Sequence, residues 1–213
     1  MTTTAVRTDI ATTTAGQLRA ALDGCLSTVG DKTEPVLHSV RVVVDGDSLT
    51  FTSTDRFRAT WALVMLDHHA GQWSAVVPAD DIKRFAAALP RWSDQGAASL
   101  LPVSLTLEGS ELTMHASGVR LTARVLEVTY PDVDRILDSV VERGEQATTS
   151  IAFGPAFLTA LAKMPRGKND PIRLRLGGAA RPAWSTWTVT TGSRRAAAVD
   201  FTYLIMPARV ASA

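Results

Sequence analysis

Apolar residues recur along this chain in two alternating rhythms, one near 3.6 residues and one of two residues. Their order predicts a helix followed by short antiparallel strands, repeated three times with a period of roughly 60 residues. In the first unit Thr14 caps a helix whose Leu18, Ala21, Leu22, Cys25 and Leu26 fall on one face. The runs Val40–Val44 and Ser48–Thr52 flank Asp45-Gly46-Asp47, a hairpin signal because glycine takes positive φ without steric penalty. A strand from about Phe57 to Leu66 completes the unit. The second unit opens with a strand over Trp73–Val77, turns at Pro78, and continues as a helix with Ile82, Phe85, Ala86 and Leu89 on one face, ended by Pro90. Ser104–Leu107 and Glu111–Ala116 then enclose Glu108-Gly109-Ser110, and Arg120–Val125 follows as a third strand.

The segment from Glu127 to Thr149 carries five acidic residues after Val128 and shows little periodicity, which predicts a connector. The third unit is read as a strand at Ser150–Phe153, a helix from about Pro155 to Met164, and strands near Ile172–Leu176, Trp184–Thr190, Arg195–Phe201 and Tyr203–Met206. The predicted class is therefore α+β, with each unit a helix packed on antiparallel strands and three units per chain. The boundaries are a disordered tail at 1–13, a two-unit domain at 14–128, a connector at 129–148, and a half domain at 149–213. An odd number of units leaves the third without its usual partner.

Composition narrows the functional classes. The hydrophobic fraction, 46% of 213 residues, is enough for a proper core. A net charge of +1 excludes a strongly basic nucleic-acid glove, although not a local basic face. The single cysteine, Cys25, sits at core spacing and points to a reducing compartment, and no apolar run reaches membrane-spanning length. With no signal-peptide pattern at the start, the expected location is cytoplasmic.

Three strings carry a resemblance. Ser53-Thr54-Asp55-Arg56-Phe57-Arg58, Tyr130-Pro131-Asp132-Val133-Asp134-Arg135-Ile136-Leu137 and Tyr203-Leu204-Ile205-Met206-Pro207-Ala208-Arg209-Val210 stand in this order. Together they resemble the bacterial DNA polymerase III beta subunit, the sliding clamp, over about Thr14 to Val210. On that resemblance the two-unit domain corresponds to the family's middle clamp domain and the half domain to the last half of its third. Half of a family member has no counterpart in the expected layout, and three units per chain would reach a twelve-unit ring only with four chains. The composition, rich in Ala, Arg and Thr, suits a high-GC genome and does not separate a cellular gene from a phage gene.

The resemblance implies a groove that takes short peptides from DNA polymerase and repair proteins. Carried over by position, its residues are Leu37, Thr54 and Ala59 from the first unit and Pro131, Arg135 and Ile136 from the connector. The last unit supplies Trp184, Thr186, Leu204, Met206, Pro207, Ala208 and Arg209. The alternative for Pro131, Met206 and Pro207 is a domain seam with C-terminal packing. The family's DNA-facing helices imply a second set, Arg19, Lys83, Arg84, Arg91, Lys163, Arg166 and Lys168, which solvated helix faces would equally explain. Implied partners are DNA polymerase and repair proteins, double-stranded DNA without sequence specificity if a ring forms, a clamp loader, and further copies of the chain.

Catalysis is not expected, and neither a cofactor nor a metal is implied. Asp67-His68-His69 is the triplet of a class of metal-dependent phosphoesterases, but their further Asp and His motifs are absent, so a polar turn is predicted. No phosphate-binding glycine loop precedes a helix, and no paired cysteine motif offers a zinc site. The leading expectation is a reduced processivity clamp. A non-encircling decoy or adaptor for clamp-motif peptides is the second, and a metal-dependent nuclease the third.

Overall fold

The computed structural model describes residues 9–93, 96–148, 150–191 and 197–208. The first unit runs β1 (Asp9–Thr14), α1 (Ala15–Leu26), β2 (Ser39–Asp45), β3 (Ser48–Thr54), β4 (Arg58–Met65) and a short β5 (His68–Ala70). The second comprises β6 (Trp73–Pro78), α2 (Ala79–Ala87), a 3-10 turn at Ala97–Leu100, β7 (Pro102–Glu108), β8 (Glu111–Ala116) and β9 (Val119–Arg124). Then come α3 (Asp134–Arg143), α4 (Pro155–Lys163), β10 (Arg175–Leu176), β11 (Ala183–Thr190) and β12 (Ala198–Ile205).

The start of α1 follows from its sequence. The Thr14 hydroxyl accepts the backbone N–H of Gln17, and the Gln17 side chain reaches back to the cap, a reciprocal arrangement that satisfies two orphan amides. Gln17 also donates to the carbonyl of Ala198 at 3.1 Å, tying the first unit to the last. Leu18, Ala21, Leu22 and Cys25 are buried as their spacing predicts. Full burial pushes the Cys25 thiol up to about 12.

Two antiparallel sheets result, in the orders β5-β1-β7-β8-β9 and β10-β11-β12-β4-β3-β2-β6. The first two units exchange their opening strands: β1 pairs with β7 of the second unit, while β6 pairs with β2 of the first. The third unit joins edge to edge, β12 running antiparallel to β4 from Val199 opposite Val64 to Ile205 opposite Arg58. The third unit's strands are thus continuous with the first unit's sheet.

Several expectations are corrected. Residues 9–13 are not a disordered tail but part of β1, with Ala11 and Thr13 fully buried. A strand paired on both edges satisfies its backbone through two ladders, so threonine-rich sequence suffices where few large apolar residues are present. Asp67-His68-His69 is not a turn: His68 and His69 begin the edge strand β5, opposite Thr12 and Ala11. The connector holds α3, whose Leu137 and Val140 form with the N-cap residue Val133 a narrow apolar stripe hidden among acidic residues. Ser150–Phe153 forms no strand, and Ile172–Leu176 contracts to Arg175–Leu176. The two predicted final strands are one, because Val199, Phe201, Tyr203 and Ile205 keep a single alternation through Thr202. The start of that prediction, Arg195 and Ala196, lies outside the described residues.

Alternation also splits the core between the two faces of the seven-stranded sheet. Ala62, Val64, Phe201 and Tyr203 belong to the main core with α1, whereas Ala59, Trp61, Trp184 and Leu204 pack with Val133 and Val140 in a smaller cluster. The helix α3 therefore covers the opposite face from α1.

Candidate functional site

The turn between β3 and β4 is built around Asp55. One carboxylate oxygen accepts the backbone N–H groups of Phe57 at 3.0 Å and Arg58 at 2.7 Å. The other accepts Arg58 Nε at 2.8 Å and Nη2 at 2.6 Å, a two-pronged contact. Thr54 donates its hydroxyl to the carbonyl of Arg58 at 2.7 Å and accepts the N–H of Arg56. This bracing holds Arg56 at φ 76, a left-handed conformation uncommon for a side chain with a Cβ. The acidic residue thus shapes the turn and is spent in doing so.

The helix α3 is anchored over β4 by Asp134. Its Oδ1 accepts the indole N–H of Trp61 at 2.7 Å and its Oδ2 accepts Arg41 Nη1 at 2.8 Å. Tyr130 donates its hydroxyl to the carbonyl of Thr52 at 3.3 Å, and burial raises its phenol above the ordinary range. On the other flank Gly30 lies so close to Leu37 that an added Cβ would stand 2.6 Å from the Leu37 Cβ. The loop before β2 can fold down onto Leu37 only with glycine there.

Between these parts lies an open cavity of about 560 Å³, walled by the loop around Leu37, the β3–β4 turn, the start of α3 and the end of β12. Seven of the residues predicted for the partner groove meet in it: Leu37, Thr54, Ala59, Pro131, Ile136, Leu204 and Met206. Ile136 is 48% exposed although apolar, so it presents free surface to the cavity. Arg135 lines an adjoining hollow that also touches Ile136. Pro207 and Ala208 line two further depressions that also touch Met206. Trp184 is buried beneath the cavity with Trp61 and Leu204, so it supports the floor without lining it. Thr186 is exposed on β11, outside the lining, a correction that follows from its position two residues further along the strand. Arg209 lies outside the described residues.

Sequence reasoning missed Glu34, Pro35, Val36, Arg56, Arg58, Trp61 and Val133, all of which line the cavity. Strand alternation carries the signal for Trp61, two residues from Ala59 on the same face. Arg56 pairs with Glu34 at 2.5 Å and Arg58 with Asp55, so the cavity's own cations are compensated.

Residues 19–132 match the DNA polymerase III beta subunit, central domain. The chain belongs to this family. It is 31% identical over 118 residues to the beta sliding clamp of Synechocystis sp., covering 50% of this chain and 29% of that protein. It is 30% identical over 149 residues to that of Streptomyces coelicolor, covering 68% and 37%. A beta sliding clamp homolog, GriR of Streptomyces muensis, is 32% identical over 108 residues, covering 50% and 27%. The chain thus spans about a third of these relatives. Its fold is that of the Bacillus subtilis DNA polymerase sliding clamp, with TM-score 0.70 at 16% identity, covering 95% of this chain and 64% of that one. A putative DNA polymerase III beta subunit from Eubacterium rectale gives TM-score 0.72 at 12% identity, covering 93% and 65%.

The expected DNA-facing cations differ in how far the protein itself engages them. Arg19 donates to the carbonyls of Ala86 and Leu89 (3.1 Å) at the end of α2 and to Asp23 at 2.8 Å. It works as a clasp between helices. Arg84 bonds Asp81, and Lys83 approaches Asp80 at 3.5 Å. Arg166 stacks over Trp187 at 4.4 Å, and burial lowers its pKa, so it too is withdrawn. Arg91, Lys163 and Lys168 are exposed without an ion pair among the described residues. No three His, Cys, Asp or Glu among the described residues lie together for a metal, and no helix there is long and apolar enough to cross a membrane.

Proposed function

We propose that the chain is a clamp-like, non-catalytic scaffold of DNA replication or repair that captures short peptides of DNA polymerase and other partners in the cavity between α3, β4 and β12. The carrying observation is the convergence of Leu37, Ala59, Ile136, Leu204 and Met206, from separate stretches of sequence, on one solvent-open apolar cavity. Such a wall removes leucine or phenylalanine anchors from water, and the unbranched Met206 can adapt to different anchors. Two or three anchors at about 1.5–3 kcal/mol each, less the cost of ordering the peptide, leave roughly micromolar affinity. Tethering on DNA would raise the effective concentration of the bound partner. Arg135, Pro207, Ala208 and Arg209 would serve the flanks of the peptide. The reading places the protein in the cytoplasm, where replication partners and a clamp loader would meet it, and calls for further copies of the chain if DNA is encircled.

Family membership carries the clamp part of this reading, since sliding clamps are processivity factors without catalytic activity. The test is fluorescence anisotropy with a labelled peptide holding a glutamine and two apolar anchors. Ile136→Ala combined with Met206→Ala should weaken binding at least tenfold while the fold persists. Equal binding of a scrambled peptide, or no change in the double variant, refutes it.

A second reading, an adaptor that occupies clamp-binding peptides without encircling DNA, is favoured by one observation: Arg19 and Arg166 are engaged within the protein. Retention on closed circular DNA with release after linearisation supports the ring. Binding of peptide with indifference to DNA topology supports the adaptor.

A further inference from the structure

The hollow adjoining the main cavity has a different electrical character. It encloses about 280 Å³, and Arg135, Arg143 and Arg181 stand around a floor that includes Ile136, Val140 and Pro182. None of the three arginines has an ion-pair partner among the described residues, whereas Arg56 and Arg58 of the main cavity are each neutralised by a carboxylate. Among the described residues, the hollow's lining contains no acidic side chain. Asp138 and Glu142 share α3 with Arg135 and Arg143 but point roughly a quarter-turn or more away from the middle of that face. Glu145 faces Arg175 at 3.6 Å.

Three uncompensated guanidinium groups beside an apolar floor define a ligand by complementarity. Resting on the peptide-docking reading above, we propose that the hollow takes an acidic stretch of the same partner peptide, Asp or Glu side chains next to its apolar anchors. Ile136 lines both cavities, so one extended segment can pass from the apolar site to the basic one. Planar guanidinium forks pair with carboxylates through two parallel hydrogen bonds. Three cations exceed what a single chain-terminal carboxylate would neutralise, which favours internal acidic side chains. A phosphodiester backbone would leave the apolar floor of Ile136, Val140 and Pro182 uncovered, which favours a peptide over DNA.

Anisotropy with three labelled peptides tests this: one with two acidic residues beside the anchors, one with Asn and Gln in their place, and the neutral one with an amidated end. At low salt the acidic peptide should bind about tenfold tighter than the neutral one, with the advantage shrinking as salt rises. Arg143→Ala with Arg181→Ala, both on exposed side chains, should erase the advantage and leave the neutral peptide's Kd unchanged. Equal binding of acidic and neutral peptides, or an advantage that survives the double variant, overturns the proposal while the apolar pocket stands. Loss of affinity on amidation would assign the hollow to a chain terminus. Displacement of only the acidic peptide by duplex DNA would assign it to phosphate. If no peptide binds, the pocket reading fails and this proposal with it.

Discussion

Removing the Asp134 side chain should loosen α3. The helix is held by the buried Val133 and Val140, the half-buried Leu137, and the two hydrogen bonds of Asp134. In Asp134→Ala the indole N–H of Trp61, a residue only 7% exposed, loses its partner, which costs about 1–3 kcal/mol. The Arg41 pair adds little, under about 1 kcal/mol, because the Asp134 side chain is 47% exposed and water replaces it. A further few tenths come from losing an anion in the helix's first turn. The sum, about 2 kcal/mol, corresponds to roughly thirty-fold more frequent opening of α3. Hydrogen–deuterium exchange of the segment 135–143 reads this directly, and Asp134→Asn, which keeps an acceptor for Trp61, should lie nearer the wild type. Unchanged exchange in the Ala variant, or identical exchange in Asn and Ala, would refute the anchoring argument.

Gly24→Ala should destabilise the protein by about 1–2 kcal/mol despite the helix propensity it gains, because the new Cβ would stand 2.3 Å from the ring of Phe201, itself stacked on Trp187. Urea denaturation measures it, and a stabilised variant would contradict the packing. The buried Cys25 thiol makes a pH prediction. The folded value is raised from 9.0 to about 12, so the unfolded chain releases its proton first as pH rises. Stability is therefore intact below pH 9 and declines between 9 and 12, by about 2 kcal/mol at pH 10.5 from this group. Cys25→Ala should flatten that part of the profile in thermal melts, and an equally steep decline in the variant would show that other groups carry it.

Local signals made much of the fold legible. The Thr14 cap, the Gly46 and Gly109 turns, the stripes of α1 and α2 and the hairpins β2–β3 and β7–β8 each rest on residues close in sequence, and each is found near its predicted bounds. Strand exchange was not legible, because nothing in Asp9–Thr14 or Trp73–Pro78 says which sheet each strand joins. β5 was lost for the same reason, three residues having no pattern of their own until β1 pairs with them. Within the cavity, short strings located Thr54, Pro131, Ile136 and Met206. The place of Trp184 beneath the cavity is not legible, because the burial of its ring depends on α3, which the acidic sequence conceals.

The register between β4 and β12 is what turns these separate strings into one cavity. Leu204 lies opposite Ala59, and a slip of one residue would turn Leu204 into the main core and Tyr203 out to the cavity side. Tyr203 resists this: it is fully buried, its hydroxyl donates to the carbonyl of Phe157 at 3.0 Å, and burial pushes its pKa up to about 12. The main core thus fixes the register from one face, and the cavity inherits its geometry on the other. A ligand touching α3, β4 and β12 at once would bind only when the third unit is attached to the first. By linkage it would strengthen that seam, by about 2.7 kcal/mol at a hundred times its Kd. On the proposed peptide-docking function, capture of a peptide and cohesion of the units would for that reason be two sides of one equilibrium.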